Sequence, residues 1–105
     1  MFNSMGNALY LGKQYAEAAQ AFELAVRFDP ISSQKETNLG EAYEALGERD
    51  LAERHLEKAI LIDPLNLGAA TQLIPLYEKS GKSAKADDLS RTIAGQIQTR
   101  HEPRR

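Results

Sequence analysis

Apolar residues recur along the chain with the period of a helix, not of a strand. Leu39, Ala42, Tyr43 and Leu46 are spaced by three, one and three, which puts them on one helical face. Gly47 ends the run, since a Gly just beyond a helix can take the left-handed conformation that closes the last carbonyls. A second run turns Ala52, Leu56, Ala59 and Ile60 inward until Pro64 stops it and pushes Asp63 toward extended backbone. Ser33-Gln34-Lys35-Glu36 reads as a capping box, in which hydroxyl and carboxylate satisfy amides otherwise orphaned at a helix start. The unit is a pair of antiparallel helices.

That unit recurs. Asp29-Pro30 and Asp63-Pro64 lie 34 residues apart, and the same shift superposes Gly6 on Gly40, Ala18 on Ala52, Phe22 on Leu56 and Ala25 on Ala59. A fainter third copy aligns Leu73 with Leu39, Tyr77 with Tyr43, Gly81 with Gly47 and Ala86 with Ala52. The small residues Gly40, Ala52 and Ala59 mark places where two helix axes approach and a larger side chain would overfill the core. Pro75, inside the first helix of the third copy, removes a hydrogen bond to the Thr71 carbonyl and predicts a kink.

The two ends of the pattern differ. The last helix, about 83–99, carries one apolar line at Ala86, Leu89, Ile93 and Ile97, as a terminal cap with one wet face should. In the first helix, Met1, Phe2, Met5, Ala8, Leu9, Tyr10 and Leu11 leave little polar circumference, and each such side chain kept in water forfeits roughly 1.5–3 kcal/mol. The C-terminal end therefore reads as finished. The N-terminal flank calls for a covering partner, either the rest of a longer array or a second copy of the chain.

Composition excludes more than it assigns. Helix formers dominate, with 15 Ala and 13 Leu against one Val and four Thr. Zero Cys removes disulfides and thiolate chemistry but leaves the compartment open, the cytoplasm being favoured. Uncharged stretches are too polar and too Gly-interrupted for membrane insertion, which fits a soluble chain. A formal charge of -2 argues against a nucleic-acid binder. The terminal residues Arg100 to Arg105 are basic, whereas residues 1–90 carry nine basic and 14 acidic side chains. That tail reads as a frayed polar end or a weak contact for an acidic partner.

No motif requires an enzyme. Ser80-Gly81-Lys82-Ser83 imitates the end of a phosphate-binding loop, but the required earlier Gly is Leu76, inside a helix; the segment reads as a turn with Ser83 as helix cap. His55 and His101 lack the partners for three or four metal ligands and read as solvated surface residues. Glu41 and Glu44 read as a solvated helix face. Neither catalytic residues nor a cofactor or metal site are expected.

These residues resemble the tetratricopeptide repeat family. Its pattern of aromatic, Leu-Gly, Tyr, Gly, Tyr, Ala, aromatic, Ala and Pro is met by Phe2, Met5, Gly6, Leu9, Tyr15, Ala18, Phe22, Ala25 and Pro30. It is met again by Leu39, Gly40, Tyr43, Gly47, Ala52, Leu56, Ala59 and Pro64. Departures are Gly12, one place early for the turn, Glu36 and Ala70 at the first aromatic, Arg49 at a later one, and Ile74 at the helix Gly. The resemblance implies an all-α, right-handed solenoid of three helix-turn-helix repeats and six antiparallel helices. The repeats would be residues 1–32, 33–66 and 67–100, followed by the tail 101–105.

The resemblance further implies a noncatalytic interaction module whose first helices line a concave groove for a partner peptide or helix. The groove positions fall on Asn3, Asn7, Tyr10, Leu11, Gln34, Thr37, Asn38, Glu41, Glu44, Ala45, Thr71, Gln72, Glu78 and Lys79. Asn7 and Asn38 match two Asn of the clamp by which some relatives grip a C-terminal carboxylate. Its basic members would fall on Asn3, Gly68 and Gln72, none cationic, so Asn7 and Asn38 read as ordinary surface amides and acidic chaperone tails should bind weakly or not at all. Glu41, Glu44 and Glu78 with Tyr10 and Leu11 suit a partner with basic and aliphatic residues. The alternative is a structural unit of a longer scaffold that self-associates through the N-terminal repeat.

Overall fold

The helical runs fold into six helices in the computed structural model, which describes residues 2–101 and the side chains of residues 2–95. They are α1 (Phe2–Leu11), α2 (Tyr15–Phe28), α3 (Ser33–Ala45), α4 (Arg49–Ile62), α5 (Leu67–Lys79) and α6 (Ser83–His101), with no strand among the described residues. Each helix packs on its neighbours in sequence. The backbones of α1, α3 and α5 also approach one another along one side, while among the described residues those of α2, α4 and α6 stay further apart on the other. The result is an all-α solenoid, 48 × 32 × 21 Å, with α1, α3 and α5 on its inner face.

The turns inside the three pairs are one structure used three times. Lys13, Gly47 and Gly81, each 34 residues after the last, have φ of +63°, +81° and +75°. The next amide reaches back in every case, Gln14 N to Leu9 O at 2.8 Å, Glu48 N to Tyr43 O at 2.9 Å and Lys82 N to Tyr77 O at 2.7 Å. This is the Schellman closure, which consumes carbonyls left over at a helix end. Gly12 is therefore not the turn glycine: the left-handed residue falls on Lys13.

Helix starts correct two further expectations. Ser32, not Ser33, caps α3: its backbone is extended and its side chain accepts from Lys35 N at 3.2 Å. Asn66 does the same for α5, accepting from Ala69 N at 3.0 Å. Ser33 is the first helical residue, and its hydroxyl is free to donate to Ala59 O of α4 at 2.7 Å. Ser83 likewise begins α6 instead of capping it; Lys82 precedes the helix, and its carbonyl accepts from Ala86 N. Helix α5 continues through the exposed Pro75 to Lys79.

Two apolar clusters fill the stack. Ala18, Ala19, Phe22, Leu39 and Ala42 form one, and Ala52, Leu56, Ala59, Ala69, Leu73, Leu76, Tyr77 and Ala86 the other. Glycine is required where the helices cross. A Cβ on Gly6 would lie 2.4 Å from Phe22 Cε1, and one on Gly40 would lie 2.8 Å from Leu56 Cγ. The third repeat exchanges the sizes at these positions, with Ile74 in place of the glycine and Ser90 in place of the large residue. Of the expected apolar line on α6, Ala86 is buried and Leu89 and Ile93 are half-buried. The side chain of Ile97 and the basic tail 101–105, apart from the His101 backbone, lie outside the described residues.

Candidate functional site

Side chains on the inner face of α1, α3 and α5 converge in two groups. At one end, Gln34 Nε2 donates to Asn38 Oδ1 at 2.9 Å and Asn38 Nδ2 donates to Asn3 Oδ1 at 3.0 Å. Asn38 is buried, so it is an inter-repeat link and not an ordinary surface amide. Thr37 is buried too. Its hydroxyl donates to Ser33 O at 2.9 Å and accepts from Asn66 Nδ2 at 3.0 Å, so its polar capacity is spent inside the protein.

The second group is acidic and spans all three repeats. Tyr10 of α1 lies edge-on to Tyr15 at 5.1 Å between ring centres and is half-buried. Burial raises its hydroxyl pKa, and the charges of Glu41 and Glu44 and the Tyr15 phenol add to the effect. Glu41 of α3 is half-buried, and burial pushes its carboxyl up. A hydrogen bond with Gln72 of α5 opposes that rise and the Glu44 charge adds to it. The Gln72 carbonyl oxygen is itself buried and has no hydrogen-bond partner among the described residues. Ionising Glu41 thus takes a carboxylate partly out of water beside a second carboxylate.

The remaining groove positions stand in solvent. Asn7, Leu11, Glu44, Ala45, Glu78 and Lys79 are exposed, as is Thr71, whose hydroxyl donates to Gly68 O at 3.0 Å. On α1 the exposed large apolar residues are Met5 and Leu11, whereas Phe2 stacks on Phe28 at 5.6 Å and 9°.

Four polar links lie outside the expected pattern. His55 is not a surface residue: its Nδ1 lies 2.8 Å from Oε1 of the buried Glu36, and its ring stacks on Tyr43 at 5.5 Å. Glu36 occupies the position where the family places an aromatic residue, and His55 is the partner that makes its burial tolerable. Tyr43 donates to Glu23, and Tyr77 donates to Glu57 at 2.5 Å. Both pairs span 20 residues and recur after 34, a signal that was present in the sequence. Burial and then the Glu23 bond push the Tyr43 hydroxyl up to about 12, and burial and then the Glu57 bond raise Tyr77. Finally, the buried Glu53 of α4 accepts from Ser80 at 2.5 Å and from Lys82 Nζ at 2.6 Å, tying α4 to the α5–α6 turn.

Residues 37–66 match the tetratricopeptide repeat family. The MamA crystal structure superposes with a TM-score of 0.89 at 22% identity, over 94% of this chain and 58% of MamA. The Arabidopsis OM64 TPR domain gives 0.81 at 26% identity, over 88% of this chain and 76% of that domain. The second TPR of Spaghetti (RPAP3), bound to the HSP90 peptide SRMEEVD, gives 0.83 at 20% identity, over 89% and 86%. No curated protein sequence matches the chain. The chain thus carries a tetratricopeptide repeat match over residues 37–66 and shares the fold of these solved structures, spanning little more than half of MamA.

Proposed function

We propose that the chain is a noncatalytic interaction module that holds a partner's extended peptide or helix along α1, α3 and α5. The partner carries basic residues interspersed with aliphatic ones. Glu41 is the observation that supports this reading most directly. It is half-buried on the inner face, its carboxyl is raised by burial and by Glu44, and the side chains with which it interacts are Tyr10, Glu44 and Gln72. An ammonium or guanidinium group brought by a partner would offset the cost of ionising it, and exposed Leu11 offers an aliphatic contact nearby on α1. Glu78 extends the acidic character along α5.

The peptide seen on RPAP3 has the opposite character, ending in Glu-Glu-Val-Asp. Here Asn3, Gly68 and Gln72 stand where cations would be needed, and Glu41 and Glu44 would repel it. Fluorescence anisotropy with a Lys/Leu-alternating peptide and with SRMEEVD tests the choice. The basic peptide should bind, and Glu41→Lys with Glu44→Lys should weaken it by roughly 30-fold or more, two lost charge-assisted contacts being worth about 2 kcal/mol together. Equal binding of both peptides, or indifference to the two substitutions, contradicts the proposal.

A structural role through the N-terminal repeat is the second reading, favoured by the exposure of Met5 and Leu11 on α1.

A further inference from the structure

Of the eight exposed large apolar side chains among the described residues, five lie away from the groove. They lie along the edge where each α2-type helix passes to the next repeat: Phe28 is 74% exposed, Ile31 78%, Leu61 81%, Ile62 37% and Leu65 49%. Four of them form one motif used twice, apolar-Asp-Pro-apolar, as Phe28-Asp29-Pro30-Ile31 and Ile62-Asp63-Pro64-Leu65, 34 residues apart. The two copies are neighbours in space. Asn66 Nδ2 donates to Ser33 Oγ at 2.7 Å, and Ser33 Oγ donates to Ala59 O at 2.7 Å, so the two loops are bonded side by side.

The ledge is also preformed. Asp29 is paired with Lys35 at 2.9 Å, and Asp63 accepts from Leu65 N at 3.0 Å, so both carboxylates are engaged within the chain. Phe28 is held by its stack on Phe2. Beside it opens a cavity of about 510 Å³, lined by Phe2, Asn3, Ala25, Phe28 and Lys35. It is wide enough for a partner's aliphatic side chain.

We infer that this ledge is a self-association surface, on which two copies of the chain pair edge to edge about a two-fold axis. The axis passes between the two motifs, so Phe28 and Ile31 of one copy face Ile62 and Leu65 of the other, and the reverse. A two-fold interface requires such a self-complementary patch, and a motif duplicated at one repeat spacing supplies it. The five side chains leave on the order of 500 Å² of apolar surface in water, at the upper end of what a monomer shows. Two such patches brought together approach the ~1,000 Å² that a specific interface needs. Both motif carboxylates are already engaged within the chain, Asp29 with Lys35 and Asp63 with the Leu65 amide. This surface is distinct from the outer flank of α1, where Met5 and Leu11 stand.

Sedimentation equilibrium of the full chain between about 1 and 300 micromolar tests the pairing. A reversible monomer–dimer equilibrium is expected. Ile31→Asp with Leu65→Asp should raise its dissociation constant at least about tenfold, with helicity by circular dichroism unchanged, since both sites are exposed. Met5→Asp with Leu11→Asp should leave it unaltered. The natural absence of Cys allows an independent geometric measurement. Equimolar Ile31→Cys and Leu65→Cys chains, mixed and oxidised, should cross-link with each other in preference to themselves. A monomer across the whole range overturns the inference, as does a dimer dissolved by the Met5 and Leu11 changes but not by the ledge changes. Monomers that use the ledge to bind phosphatidylcholine vesicles, or cross-linking of Ile31→Cys mainly to itself, overturn it equally.

Discussion

At the scale of single residues, the repeat imposes a backbone demand that one side chain fails to meet. The left-handed position falls on glycine in two turns and on Lys13 in the first. For an L-residue that conformation costs roughly 1–2 kcal/mol, partly offset by the entropy a glycine loses on folding. Lys13→Gly should therefore stabilise the protein by about 0.5–1 kcal/mol, read as a higher urea midpoint at unchanged slope. Gly40 makes the converse case. Ala is the better helix former, yet its Cβ would sit 2.8 Å from Leu56 Cγ, beside the buried core. Gly40→Ala should cost about 1–3 kcal/mol, and trimming the obstruction with Leu56→Ala in the same chain should give a smaller loss than the two single changes predict. Additive losses in that double-mutant cycle would show that the close approach does not set the cost.

At the scale of helices, two buried or half-buried carboxylates act with opposite sign. Burial raises Glu53, but the bonds from Lys82 and Ser80 and the charges of Lys82 and Lys85 carry it net below its ordinary value. Its ionised form therefore stabilises the fold above the unfolded pKa, and that contribution is lost as pH falls through the lower folded value. Glu41 has a raised pKa. Its stabilising contribution is present below the unfolded pKa and lost as pH rises through the folded one, so at neutral pH the ionised group is a liability. Thermal melts should show Glu53→Gln less stable and Glu41→Gln more stable than the parent at pH 7. Both differences should shrink in acid, where both carboxyls are protonated in either state. A Glu41→Gln melt below that of the parent at pH 7 would contradict the assigned direction. The same helices show why part of the fold was hidden. Helix periodicity is a local property, so Leu39, Ala42, Tyr43 and Leu46 announced α3 by themselves. The caps depended on which of two adjacent serines turned extended after Pro30, a choice made by the bond from Ser33 to Ala59 in another helix.

At the scale of the whole molecule, the 34-residue frame was legible because close approach, turn closure and helix termination each demand a particular residue type at the same place every time. Gly40, Gly47, Ala52 and Pro64 carry those demands openly. Two of the polar links were not legible, because Glu36 and His55, or Ser80 and Glu53, meet only after the helices have stacked and neither partner signals the other. The candidate groove was legible by position and not by accessibility. Thr37 and Asn38 fall at groove positions, yet their side chains are spent on holding repeats together, whereas Tyr10, Glu41 and Gln72 meet from three different helices.

Each helix here leans only on helices one or two places away in the chain. Mechanically this is a row of dominoes: a unit at either end can loosen without asking the opposite end, and strain at one end reaches the other only by passing through the middle pair. A ligand that gripped α1 and α5 together would bridge that gap. It would tie the first domino directly to the last, so that ends otherwise free to fray one at a time would have to open as one.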